Sequence, residues 1–301
     1  MSPSQALRQA IQAFVFAVGV VALMPVHAAQ FTSERVRIST EGTGKDVILI
    51  PGMGSSPRVW REMVKAVPGY RYHLVQVNGF AGVAPGANQQ GVVAAPVAEE
   101  IARYIAVSEL DKPAVIGHSM GGSIGLMLAG RHPKSVSRLM VLDMMPFLGV
   151  MFGPPGTSAE SVKPMAEGVL AQLRAADPAA RQARTTTVIN GMVNNAAMRP
   201  AALEDSLKSD PDVAARSMHE LIVTDLRPEL AKIEIPTTVL YVTPKSTPLN
   251  DAQIDAGYKA SYAPLKGVTL KRMPASAHFI MWDQSELFQA EVKNFLAKDK
   301  P

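Results

Sequence analysis

Val115-Ile116-Gly117-His118-Ser119-Met120-Gly121-Gly122 is the stretch around which the rest of this chain is organised. It reads G-x-S-x-G, preceded by apolar β-formers at residues 113–116 and followed by residues 123–129, which have helical composition. The implied local structure is strand, sharp turn, helix. A serine on such a turn sits on a tight backbone kink with its hydroxyl thrust out of the sheet. Its flanking residues must be small, because larger side chains would collide with neighbouring strands. Glycines 117 and 121 meet that demand. The bare five-residue pattern is a weak signal, since an ordinary glycine-rich turn between strand and helix produces it too. The strand and helix on either side give it weight.

Working outward, residues 47–50 (Val-Ile-Leu-Ile) run straight into Pro51-Gly52-Met53-Gly54-Ser55-Ser56. A wholly apolar four-residue run predicts a strand buried on both faces, hence a parallel sheet covered by helices. Alternation at residues 35–40 suits an edge strand, and residues 57–67 read as a crossover helix with Trp60, Met63, Val64 and Val67 on one face. Strand patterns recur at 72–77, 113–117 and 136–142, with a helix over 97–110. Unbroken strand–helix alternation predicts a doubly wound parallel sheet. It stops between Met144 and about Leu230, where helical patterns at 159–174, 178–190 and 212–221 replace strands, and resumes with a strand at 238–242. A helix at 251–262, a strand at 268–273 and a last helix over 283–297 complete the chain. The expected organisation is a core domain from residues 29–146 and 229–301, interrupted by a helical insertion at 147–228.

The first 29 residues differ from the rest. Arg8 is their only charge, residues 13–24 are a nearly unbroken apolar run, and Pro25-Val26-His27-Ala28 places small residues where a signal peptidase reads. This predicts a secretory signal over residues 1–28 and a periplasmic or secreted protein. The run is short of the roughly 20 residues of a membrane span. With no cysteine the segment cannot be a lipoprotein signal, and the mature chain has no thiol chemistry. At 47% hydrophobic, 301 residues can bury a sizeable core. A net charge of +4, with no basic run longer than Lys271-Arg272, is too diffuse for a nucleic-acid surface.

A serine hydroxyl needs a base to take its proton and a carboxylate to orient that base. His118 is adjacent to the serine and cannot easily fold back onto it. His73 falls mid-strand, His132 at a helix end and His219 in the insertion. His278 lies just after the last predicted strand, on the side where strand-end loops converge with Ser119. The pattern calls for no cofactor and no metal.

On these residues the chain resembles the α/β-hydrolases. Residues 117–122 match that family's nucleophile elbow. Ala277-His278-Phe279-Ile280-Met281-Trp282-Asp283-Gln284 resembles its C-terminal histidine segment, with alanine for the usual glycine. Pro51-Gly52-Met53-Gly54 resembles its oxyanion loop, with proline where histidine is common. The resemblance implies an α/β-hydrolase fold, a helical cap formed by the insertion, catalytic roles for Ser119 and His278, and an oxyanion hole from the backbone N–H groups of Met53 and Met120. The acid departs from the commonest pattern, because residues 243–250, after the penultimate strand, contain no carboxylate. Asp143, at the end of the strand after the elbow helix, is the leading candidate, as in haloalkane dehalogenases; Asp251 and Asp225 are the alternatives. Serine rather than aspartate as nucleophile disfavours dehalogenation and epoxide opening. The expected activity is hydrolysis of carboxylic esters of small, apolar molecules through an acyl-enzyme, with an amidase, peptidase or acyltransferase as the alternative. A ligand-binding protein without catalysis is the reading from outside the enzyme class. The apolar residues Met144, Met145, Phe147, Leu148, Met151 and Phe152 suit core packing, or else an apolar substrate site.

Overall fold

The apolar runs become strands: β1 (Val36–Gly42), β2 (Lys45–Ile50), β3 (Tyr70–Val77), β4 (Ala114–His118), β5 (Arg138–Leu142), β6 (Thr237–Tyr241) and β7 (Thr269–Arg272). The computed structural model describes residues 31–154, 156–245 and 247–297, so the expected leader lies outside the described residues. Among the described residues the strands form a seven-stranded sheet in the order β1-β3-β2-β4-β5-β6-β7. It is parallel except for β1, which runs antiparallel to β3 at the edge. Helices α1 (Arg61–Ala66), α2 (Ala94–Val107), α3 (Met120–Arg131), α8 (Asp251–Ser261), α9 (Ile280–Asp283) and α10 (Ser285–Ala297) cover it. Between β5 and β6 lie α4 (Ala159–Ala175), α5 (Pro178–Met192), α6 (Arg199–Lys208) and α7 (Pro211–Val223). No helix among the described residues is long and apolar enough to cross a membrane.

Successive residues of β2 enter opposite cores, as the two-residue period of a strand requires. Val47 and Leu49 pack with Trp60, Met63 and Phe288 on one face, and Ile48 and Ile50 with Val97, Ile101 and Ile124 on the other. Each such aliphatic side chain contributes about 1.5–3 kcal/mol on burial, which is how a chain without cysteines holds together. From β2 the chain turns toward one edge of the sheet, and from β4 toward the other. The carboxyl ends of these adjacent strands therefore border the crevice of the topological switch point.

The structure departs from the sequence reading at three places. Residues 57–67 do not make one α-helix: a 3₁₀ turn over Pro57–Trp60 precedes α1. It is closed by Val59 N–H donating to Ser56 O, and Pro57 stands at its first position, where its missing N–H would have no intrahelical acceptor. The last helix, α10, begins at Ser285, two residues later than expected, and is preceded by the short helix α9. Helix α6 has no counterpart in the sequence pattern.

Glycines 117 and 121 have the close approaches the turn requires. A Cβ on Gly117 would lie 2.2 Å from Gly121 O, and one on Gly121 would lie 2.2 Å from Ile50 O. Both obstacles are backbone, which cannot swing aside. Gly121→Ala should therefore lower unfolding free energy by about 3 kcal/mol or more, measured as a shift in urea midpoint. A midpoint matching wild type would show that the elbow can relax.

Candidate active site

Ser119 occupies the N-cap of α3 at φ 53, ψ −121. A serine at an N-cap ordinarily turns its oxygen back to accept from the first turn, yet Ser119 makes no such side-chain bond. The turn is held instead by main chain. Ser119 N–H donates to Leu142 O at 2.8 Å, and Gly122 N–H donates to Ser119 O at 2.7 Å. A strained residue held in place by its surroundings in this way is characteristic of functional sites.

His278 and Asp143, far apart in sequence, meet above the sheet. His278 Nδ1 donates to Asp143 Oδ2 at 2.6 Å. The bond places the ring proton on Nδ1 and leaves Nε2 with its lone pair. Asp143 Oδ1 accepts from Val242 N–H at 3.2 Å and from Tyr258 O–H at 3.1 Å, so the carboxylate is fixed from both sides. Asp143 also has positive φ, 47°, and its own N–H donates to Leu240 O at 2.7 Å. Tyr258 is stacked on Tyr241 at 4.0 Å. Burial first, then the neighbouring Asp143, pushes the Tyr258 phenol well above its ordinary range, so it stays a donor.

The other candidate acids are engaged elsewhere. Asp251 accepts from Thr243 Oγ1 at 2.7 Å and from Arg272 at 2.5 Å; Asp225 pairs with Arg227 at 2.6 Å. Met53 lies in the turn after β2, and its N–H donates to no described backbone acceptor. The Met120 N–H belongs to the first turn of α3, where no intrahelical acceptor exists. The Met120 side chain is packed in the core. Of the apolar stripe, Met144 and Phe147 are buried and Met145 and Leu148 partly buried against core residues, whereas Met151 is 61% and Phe152 45% exposed.

Three supporting residues escaped the sequence reading. His118 is 1% exposed and donates from Nε2 to His278 O at 3.0 Å, with the two rings 4.6 Å apart. Its Nδ1 has no partner among the described residues, as befits a neutral ring. Asp283 accepts from Ala277 N–H at 2.8 Å and also from Asn194 and Asn195 N–H at 3.1 and 2.9 Å, joining the histidine loop to the end of α5. Tyr258 is the third. A G-H-S pattern and an aspartate five residues after a histidine were visible in the sequence, but their hydrogen bonds are tertiary.

Burial first, and then the neighbouring His278, holds His118 well below the ordinary histidine range. Burial likewise lowers His73, overriding its bond to Asp46. The sign follows directly: below about pH 6.5 the unfolded chain protonates these rings while the folded chain does not. Stability then falls as pH falls, by up to about 1.4 kcal/mol per unit for each ring. The urea midpoint should drop between pH 7.5 and 5.5; a flat or rising midpoint would contradict neutral buried rings.

With this geometry in view, comparison with known proteins decides the family. The sequence pattern of the family described as alpha/beta hydrolase fold matches residues 46–285. The chain belongs to the alpha/beta hydrolase family. This α/β-hydrolase is similar to a pimeloyl-[acyl-carrier protein] methyl ester esterase of Aliivibrio salmonicida, at 26% identity over 67% of the chain and 75% of that relative. It is also 27% identical to a candidate carbamate hydrolase, RutD, of Serratia proteamaculans, over 65% of the chain and 74% of the relative. An esterase of Exiguobacterium antarcticum superposes with TM-score 0.72 at 18% identity, covering 87% of this chain and 95% of that one, a likeness of fold.

Proposed function

We propose that this α/β-hydrolase cleaves carboxylic esters of small, apolar molecules through an acyl-enzyme on Ser119, with His278 as base and Asp143 as its orienting acid. The observation that carries the reading is the 2.6 Å bond from His278 Nδ1 to Asp143, which leaves Nε2 free to take a proton. The serine of the elbow does not spend its hydroxyl on capping its own helix.

Ser119 Oγ attacks the ester carbonyl as its proton passes to His278 Nε2. The resulting oxyanion is held by the N–H groups of Met53 and Met120, and each such donor contributes roughly 3 kcal/mol to barrier lowering. Collapse expels the alcohol, which takes the proton from His278, and leaves the acyl group on Ser119. Water, deprotonated by the same nitrogen, completes the cycle. Asp143 holds the ring in place and stabilises the imidazolium that forms. The helices between β5 and β6 serve as a cap over this site, and the likeness to a methyl ester esterase supports esters ahead of amides as substrates of this chain. The carbamate hydrolase relative supports cleavage of C–N bonds as the second reading, and paired assays on p-nitrophenyl butyrate and butyranilide separate them. Residues 1–28 act as an export signal in this reading; N-terminal sequencing of the exported protein should begin near Ala29.

The direct test is incubation of folded protein with a fluorophosphonate probe followed by peptide mass mapping. A single adduct on Ser119 is expected. Its absence, together with no ester turnover, would sink the catalytic reading in favour of a ligand-binding hydrolase scaffold.

A further inference from the structure

The strongest feature outside the Ser119–His278–Asp143 group is a buried carboxylate on α6. Asp205, 6% exposed, accepts from Ser56 N–H at 3.0 Å, from Ser56 Oγ at 2.7 Å, from Arg58 Nε at 2.9 Å and from Arg58 Nη2 at 2.5 Å. Ser56 ends the turn that contains Met53, and Arg58 lies in the 3₁₀ segment after it. The same turn meets α6 again at Gly54, where a Cβ would sit 3.5 Å from Ser206 Oγ and 3.7 Å from Ser209 Oγ. Its inner side lies against the nucleophile, since a Cβ on Gly52 would come within 3.2 Å of Ser119 Cβ.

We propose that Asp205 is a positioning residue for the oxyanion loop, so that the helical insertion forms part of the catalytic framework and is not a removable cover. The inference rests on the proposed role of Met53. The turn over residues 51–56 is anchored at one end by β2 and at the other by Asp205. In between it has one internal backbone bond, Ser55 N–H to Gly52 O at 3.2 Å, and a glycine at φ 69. Such a turn has little rigidity of its own, and the direction of the Met53 N–H depends on where its far end is held. An oxyanion donor is effective only at about 2.7–3.1 Å from the developing charge. A partly buried ion pair adds little to stability over an apolar pair of the same size, so the four donors converging on Asp205 are better explained by the geometry they impose.

The test is ester turnover per active site, titrated with the fluorophosphonate probe so that misfolded protein does not count. Asp205→Ala should lower kcat about 10- to 100-fold, the scale of a misplacement of about 1 Å, with KM within about twofold and the pH profile of kcat/KM unmoved. Inhibition by an alkylboronic acid, whose tetrahedral adduct occupies the oxyanion hole, should weaken by the same factor. Glu204→Gln, on the same helix and touching the same arginine, should match wild type. Asp205→Asn keeps an acceptor for Ser56 and should fall between, and it carries the test alone if the alanine variant does not fold. Wild-type kcat and boronate affinity per titrated site in the Asp205 variants would overturn the inference while leaving the hydrolase reading intact. A wild-type enzyme that neither labels nor turns over would instead remove the reading beneath it.

Discussion

Ser119→Ala should leave a folded protein whose ester turnover is lower by about 10⁶-fold, since nucleophile, base and acid act as one unit. The backbone at residue 119 is fixed by its bonds to Leu142 and Gly122, neither of which involves the side chain. Alanine bears the same left-handed φ that serine already bears, so the urea midpoint should stay at its wild-type value or rise slightly. Any remaining rate would come from the oxyanion donors and binding alone, at about 10³- to 10⁴-fold over water. Turnover above one hundredth of wild type in this variant, with contamination excluded by titration, would mean that the hydroxyl is not the nucleophile.

Asp143→Asn should cost about 10⁴-fold in kcat for a reason specific to this site. Val242 N–H and Tyr258 O–H both donate to the Oδ1 position, so the asparagine carbonyl oxygen must take that place. Its NH₂ then faces His278 Nδ1 as a donor, which forces the ring proton onto Nε2, and the base is lost while the fold persists. Asp251→Asn is the contrast. That carboxylate is exposed and bound to Thr243 and Arg272, so turnover should stay at wild type and stability should change by less than about 1 kcal/mol. Retained activity in Asp143→Asn, with loss in Asp251→Asn, would reverse the assignment.

The sheet was legible because its central strands are buried on both faces and so are written as unbroken apolar runs, as at residues 47–50. The elbow was legible because steric demand leaves only glycine at 117 and 121. Helix α6 was illegible for the converse reason. Its buried residues are Ala202 and Asp205, so its inward face carries a charge and not an apolar stripe, and hydrophobic periodicity has nothing to report. By sequence His118 is adjacent to Ser119 and cannot easily fold back onto it. In the folded chain it reaches outward, to the carbonyl of His278.

By itself the sequence determined the strand order along the chain, the turn that strains Ser119 and the short set of histidines and carboxylates able to serve it, because backbone sterics and burial period act within a few residues. Only the tertiary structure decided which carboxylate His278 touches, what holds that carboxylate, and that a helix between β5 and β6 grips the turn after β2. Those are contacts between residues 99 to 149 positions apart. Their partners are chosen by how the strand ends converge at the switch point, and local pattern carries no trace of that choice.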